Sequence, residues 1–265
     1  MDGAWQDSKH LRETPLLRSV VINLIVAAGF LTRLAPARIV QPEKLGQSLP
    51  YFPLVGLAIG LVLVAPLFLG LAAGYPWVQA WLWLAGALYL TRGLHWDGWV
   101  DVWDAWGSGA AGEHFWEVLK DSRMGAFGGM GLFMGLAGQL VLLYSALQHQ
   151  AWGVLIWAPV LGRTAATILA WLGRDLGRPG LGGVFLTAAD IRCLLLAVGQ
   201  AALLGLLLVS GKTLLLAWAL LLVGLLLLAQ LAKSRQGLNG DFLGTAIVWG
   251  EICVLSAYVL LRCSP

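Results

Sequence analysis

The chain has 265 residues, of which 59% are hydrophobic and only 12% charged, with a formal net charge of +3 at pH 7. A soluble domain carries about 25% charged residues, so this balance excludes an ordinary soluble protein and indicates an integral membrane one. Strand-like alternation is absent, which argues against an outer-membrane barrel, and no nucleic-acid partner is expected.

In chain order, residues 1–16 are polar and mixed in charge. No cleavable signal peptide is expected, because no small-residue cleavage pattern follows the first apolar run. Apolar segments follow at about 17–33, 52–73, 76–92, 124–146, 151–172, 192–209, 213–232 and 243–262. Most approach the roughly 20 residues that span a bilayer as helix. The expectation is an all-α fold, a polytopic membrane helix bundle of about seven or eight membrane segments in the lipid bilayer, forming one domain over 1–265. The first segment is the weakest, since Asn23 interrupts its apolar core, and it reads equally as a re-entrant or interfacial piece.

Polar stretches at about 34–50, 93–123, 173–191 and 233–242 alternate with tight turns at 74–76, 148–150 and 210–212. If every segment spans, the four polar stretches share one membrane face. Most of the basic residues lie there, and the positive-inside rule makes that face cytoplasmic. This gives a multi-pass membrane protein whose loop-bearing face is cytoplasmic. The pairs Gly56/Gly60, Gly125/Gly129 and Gly131/Gly135 are GxxxG spacings that signal helix packing and permit a homodimer without demanding one. The leucine-rich run at 213–228 reads as lipid-facing. Trp77, Trp81, Trp152 and Trp249 read as interfacial anchors near segment ends. Cys193, Cys253 and Cys263 have no metal-ligand spacing and read as unpaired packing residues.

The chemistry concentrates in Gly93-Leu-His-Trp-Asp-Gly-Trp-Val-Asp-Val-Trp-Asp-Ala-Trp106. At about 100° per residue, Asp101 and Asp104 lie roughly +40° and −20° from Asp97 on a helix. Trp99, Trp103 and Trp106 fall about 180–240° away. One face therefore carries three acids and the opposite face three indoles. Three like charges on one stripe repel, and each is costly in low dielectric, so a cation is required to offset them. An all-oxygen set suits Mg²⁺ or Mn²⁺ better than zinc. A solvated acidic face on an interfacial helix is the plainer alternative. His95, two residues before Asp97, reads as a metal ligand, a proton shuttle or a helix-start residue.

Four further clusters share this face. Arg33 sits at a membrane boundary in Leu31-Thr-Arg-Leu-Ala-Pro36. Lys120-Asp-Ser-Arg-Met-Gly-Ala-Phe-Gly128 runs into a glycine-rich helix start, where backbone N–H groups, Lys120 and Arg123 suit a phosphate. Arg163 lies inside an apolar segment, where an arginine usually has an anionic partner. Gly237-Leu-Asn-Gly-Asp241 precedes Glu251 on the last helix. A divalent cation on carboxylates, with lysines and arginines around glycine-rich turns, suits a pyrophosphate substrate and phosphoryl transfer at the membrane surface. No Walker motif, G-x-S-x-G or HExxH is present.

The chain resembles, nearly end to end, the adenosylcobinamide-GDP ribazoletransferase (cobalamin-5′-phosphate synthase) family. The resemblance rests on Phe30-Leu-Thr-Arg-Leu34, Tyr51-Phe-Pro-Leu-Val-Gly56 with Gly60, the aspartate stretch, the Lys120–Gly128 motif, Gly162-Arg163, Arg178-Pro-Gly-Leu-Gly182 and Gly237-Leu-Asn-Gly-Asp241. Departures are Trp96, Trp99, Trp103 and Trp106 at usually small or aliphatic positions, Ala105 for glycine and Asn239 for threonine. The resemblance implies a Mg²⁺-dependent transfer from adenosylcobinamide-GDP to α-ribazole or its 5′-phosphate, with release of GMP. It implies Asp97, Asp101 and Asp104 as metal ligands, with His95 or an aspartate as base. Arg33, Lys120, Asp121, Arg123, Arg163 and Asp241 are then the expected substrate-binding residues. The rival readings are a CDP-alcohol phosphotransferase-like enzyme, whose D-G-x2-A-R motif is missing, an aspartate-rich prenyltransferase, and a transporter using Arg163 and Glu251.

Overall fold

The computed structural model describes residues 15–262 except Arg38, so most of the polar segment 1–16, and Cys263, lie outside the described residues. The described residues form twelve α-helices: α1 (Pro15–Leu31), α2 (Pro42–Gly46), α3 (Phe52–Phe68), α4 (Pro76–Thr91), α5 (Leu94–Gly107), α6 (Glu113–Lys120), α7 (Ala126–Gln148), α8 (Trp152–Leu172), α9 (Leu181–Ala188), α10 (Ile191–Leu208), α11 (Gly211–Ser234) and α12 (Gly240–Arg262). Short 3₁₀ turns lie at Leu49–Tyr51 and Arg174–Leu176, and a β-bridge joins Gly177 to Leu238.

Each of the eight apolar segments coincides with a helix. Among the described residues, six spans are long and apolar enough to cross a bilayer: Pro42–Phe68, which takes in α2 and α3, together with α7, α8, α10, α11 and α12. The other two segments become α4, of 16 residues, and α1, of 17, both shorter than a typical span. The chain is thus a polytopic helical membrane protein. On α11, Leu215, Leu222, Val223, Leu226 and Leu227 are exposed, while Leu214, Leu221 and Leu225 are buried, so its outer face is the lipid-facing one.

Helix α8 is the central post, packed against α3 on one side and α12 on the other. Small residues set both spacings. A Cβ on Gly60 would come within 2.5 Å of the Ile156 carbonyl oxygen, and one on Gly250 within 2.7 Å of the Gly162 Cα. Gly131 and Gly135 likewise face Trp103, Trp96 and Trp99 of α5. These glycines are therefore engaged within the chain, and they carry no argument for a homodimer. Overpacking so close a helix pair costs about 1–3 kcal/mol or more. We expect Gly60→Leu to lower the melting temperature of the detergent-solubilised protein by several degrees. An unchanged melting temperature would show that α3 separates from α8 there without loss.

Trp249 is not at a segment end. It lies in the third turn of α12 and packs on Gly224 of α11, its indole N–H donating to the Leu220 carbonyl at 3.3 Å. A tryptophan opposite a glycine can fill a helix groove as readily as anchor a headgroup layer. Trp77 and Trp81 remain exposed, as interfacial anchors should be. Cys193 and Cys253 are buried free thiols.

The polar stretches gather at one end of the bundle. The Arg33 amide bonds the Leu90 carbonyl at 2.8 Å, tying the end of α1 to the end of α4. The amides of Arg178 and Leu238 bond the carbonyls of Leu238 and Leu176 at 3.0 and 2.7 Å, which clamps the loop before α9 to the loop before α12. The Arg178 guanidinium lies 4.4 Å over the Trp116 ring and pairs with Glu113 at 2.6 Å, adding α6 to the clamp. The Arg178–Gly182 motif is thus explained by packing, and it fixes the first turn of α12, where Asp241 stands.

Candidate active site

Helix α5 forms as its periodicity requires. Gly93 at its N-cap has φ +69°, a left-handed conformation that favours glycine and lets the chain turn straight from α4 into α5. The indole face packs on α7, where the Trp99 N–H donates to the Gly131 carbonyl at 3.0 Å. Trp96 and Trp99 are buried, Trp103 is partly so and Trp106 is exposed. The four tryptophans form a ladder of edge-to-face and tilted contacts, with successive ring centroids 5.9, 5.8 and 5.3 Å apart. Large indoles thus meet the glycine stripe of α7, which accounts for them at positions where the family pattern has smaller residues.

The opposite face carries the acids. Asp97 and Asp101 line a cavity of about 970 Å³ between α1, the 37–45 stretch, α5 and the loop before α7. Arg92, Ser122 and Met124 also border it, amid otherwise mostly apolar walls. A second, smaller cavity of about 160 Å³ adjoins it and is bordered by His95, Asp97 and Asp241. Asp241 reaches α5 because Gly98 lacks a side chain: a Cβ there would lie 2.7 Å from the Asp241 carbonyl oxygen. Thr245 fastens the contact, its hydroxyl donating to the Gly98 carbonyl at 3.0 Å. Asn239 donates to Asp241 Oδ2 at 2.6 Å.

Crowding of the carboxylates has an electrostatic signature. Burial first, then the Asp241, Asp97 and Asp104 carboxylates, push the Asp101 carboxyl up to about 7. Such a cluster is an all-oxygen donor set in want of positive charge. Among the described residues, no three His, Cys, Asp or Glu side chains converge on one point. A metal ion here would therefore take at most two of these carboxylates, with substrate phosphates and water completing its shell.

Asp104 stands apart. Its two carboxylate oxygens accept from the Gly125 amide at 2.8 Å and the Gly128 amide at 3.0 Å, capping the start of α7. That engagement ties the Lys120–Gly128 loop to α5. Within the loop, Asp121 and Arg123 pair with each other at 2.6 Å, and the Arg123 bonds hold the exposed Asp121 carboxyl at about 2. Lys120 is exposed, and the loop residues that border the large cavity are Ser122 and Met124.

His95 is 4% exposed, and its Nε2 has no hydrogen-bond partner. Burial, with the Arg163 guanidinium adding to it, holds the imidazole well below its ordinary pKa. Arg163 borders neither cavity. It is buried against Glu251, which also accepts from Gln139 at 3.1 Å, so the sequence-level expectation of an anionic partner is met inside the bundle. Arg33 donates to the Tyr89 carbonyl at 2.9 Å and stacks on its ring, and it too borders neither cavity. Arg92 was missed in the sequence, though it immediately precedes the Gly93 stretch. Its guanidinium donates to the Gly29 and Phe30 carbonyls while bordering the large cavity.

The fold defines a polytopic membrane protein whose carboxylate-lined cavity opens among the gathered loops at one end of the bundle. A family model described as cobalamin-5-phosphate synthase matches residues 23–259. A protein of Nitratidesulfovibrio vulgaris (strain Miyazaki F), named adenosylcobinamide-GDP ribazoletransferase, is 44% identical over 237 residues, covering 89% of this chain and 94% of the relative. Proteins of the same name from Brevibacillus brevis and Escherichia coli are each 34% identical, covering 88% and 86% of this chain and 96% of each relative. No solved structure matches. The chain belongs to the cobalamin-5-phosphate synthase family, transferases of cobalamin biosynthesis.

Proposed function

We propose that this chain transfers the adenosylcobinamide phosphate group from adenosylcobinamide-GDP to α-ribazole or its 5′-phosphate, releasing GMP, at the cytoplasmic face of a bacterial cytoplasmic membrane. The observation that carries the reading is the pairing of Asp97 and Asp101 on the wall of a large, mostly apolar cavity, with Asp241 brought beside them from α12. Apolar walls suit a corrinoid, and crowded carboxylates suit a cation-bound diphosphate.

Asp97 and Asp101 are the residues to hold Mg²⁺, with Asp241 near and Asp104 as the third acid of the stripe. When bound, the ion supplies positive charge across the phosphoryl oxygens and to the departing phosphate. The acceptor's 3′-hydroxyl oxygen attacks the phosphorus attached to the cobinamide arm. The new P–O bond forms as the bond to the GMP oxygen breaks, so GMP leaves as a phosphate monoester. The hydroxyl proton passes to a neighbouring base, His95 or one of the aspartates that border the smaller cavity with it. Arg92, on the cavity wall, supplies positive charge for the phosphates, and Lys120 and Arg123 are the cations that the adjoining loop can add.

The test is purified protein in liposomes given adenosylcobinamide-GDP and α-ribazole 5′-phosphate, with Mg²⁺ or with chelator. Equal amounts of GMP and corrinoid product are expected with Mg²⁺ and neither with chelator. No release with Mg²⁺ would overturn the reading.

A further inference from the structure

The two cavities have different walls, and they meet at Asp97. The smaller one is a slot between α1, α3, α9 and α12, closed behind by α8. Three mutually packed rings form one side: Phe30 and Phe185 have centroids 5.0 Å apart, Phe52 and Phe185 5.2 Å. Leu243 and Ile247 of α12 contribute to the rest. The polar side chains bordering it are His95, Asp97 and Asp241, all on the α5–α12 seam. Of these, His95 is more than nine-tenths buried with Nε2 unpaired.

Resting on the transfer proposed above, we propose that this slot is the acceptor's base-binding subsite, while the larger cavity takes the corrinoid donor. An aromatic bicyclic base with an apolar edge fits walls of phenylalanine and leucine. Guanine fits less well, because the only acceptor side chains, Asp97 and Asp241, lie at the end where the ribose must sit, and its polar edge would be desolvated against the apolar remainder. With the base in the slot, the attached ribose lies toward Asp97 and His95, where the two cavities join. The hydroxyl to be phosphorylated then faces the donor's diphosphate. Phe30, Phe185, Leu243 and Ala166, whose methyl group forms part of the α8 wall, are thereby specificity-determining residues.

The test uses the full chain in liposomes with saturating adenosylcobinamide-GDP and a series of α-riboside 5′-phosphates. For the unaltered protein, dimethylbenzimidazole and benzimidazole ribosides are expected to exceed adenine and hypoxanthine ribosides in kcat/KM by about 10–100-fold. Ala166→Leu, which fills the slot, is expected to raise the KM for the acceptor about 10-fold and to leave the KM for the donor unchanged. Leu243→Ala, which widens it, is expected to improve the relative use of a base larger than dimethylbenzimidazole. Equal use of polar and apolar bases by the unaltered protein would overturn the placement, as would a rise in donor KM alone in Ala166→Leu, while GMP release still upheld the transfer. If no acceptor released GMP, the transfer itself would fail, and this placement with it.

Discussion

Glu251→Leu is expected to lower the stability of the detergent-solubilised protein by about 3–5 kcal/mol, and the double variant Arg163→Met with Glu251→Leu to recover most of that loss. Arg163 is 1% exposed in the most enclosed helix of the bundle, and its ion pair with Glu251 joins α8 to α12. Removing the carboxylate leaves a guanidinium with no counter-charge and no water. Removing both partners leaves apolar groups of similar volume, a change that is often neutral in buried sites. Recovery stays incomplete because Gln139, 1% exposed, loses the carboxylate to which it donates. Thermal melts followed by size exclusion read the stability, and a single variant that melts with the wild type would mean the pair is not closed to water. The double variant also decides between two roles for Arg163. A folded but inactive double variant would place the guanidinium on substrate phosphate, whereas retained GMP release would make it a structural tie.

Residues 163 and 251 also show how far sequence reasoning reaches. Each stands out alone as a charge in an apolar run, but their partnership spans 88 positions and rests on Gly162 and Gly250, which let α8 and α12 touch. The eight apolar helices were legible because long apolar runs leave few alternatives in a bilayer, even where α1, α3 and α4 fall short of twenty residues. The two faces of α5 were legible for a similar reason, a period of 3.6 carrying acids on one side and indoles on the other. The short helices α2, α6 and α9 were not, because they fall in mixed polar stretches and are fixed by tertiary contacts such as Arg178 on Trp116 and Glu113. Asp241 was marked as a candidate, yet nothing local places it beside Asp97. That neighbourhood follows from the absence of a side chain at Gly98.

Asp101→Asn is expected to lower turnover by about 10²-fold or more in folded protein, the order of loss seen when one preorganised charge-stabilising group is removed. The variant should also require more Mg²⁺ for half-saturation. Asp101 sits where burial and three neighbouring carboxylates crowd it most, so its charge depends most on a cation. Asparagine keeps the shape but brings no negative charge, so the cation loses a ligand while the helix loses nothing. Asp104→Asn is the informative companion. In the structure the Asp104 oxygens are taken by the Gly125 and Gly128 amides. Asparagine has a single carbonyl oxygen to offer these two donors, and its amino group would face one of them. The expected result is faster hydrogen exchange over 121–128 and a raised KM for adenosylcobinamide-GDP, with the Mg²⁺ requirement nearly unchanged. If Asp104→Asn instead shifts the Mg²⁺ requirement as far as Asp101→Asn does, the stripe acts as one metal set, as its helical spacing alone implies. In that case the loop contacts seen at Asp104 must give way when the cation and diphosphate enter.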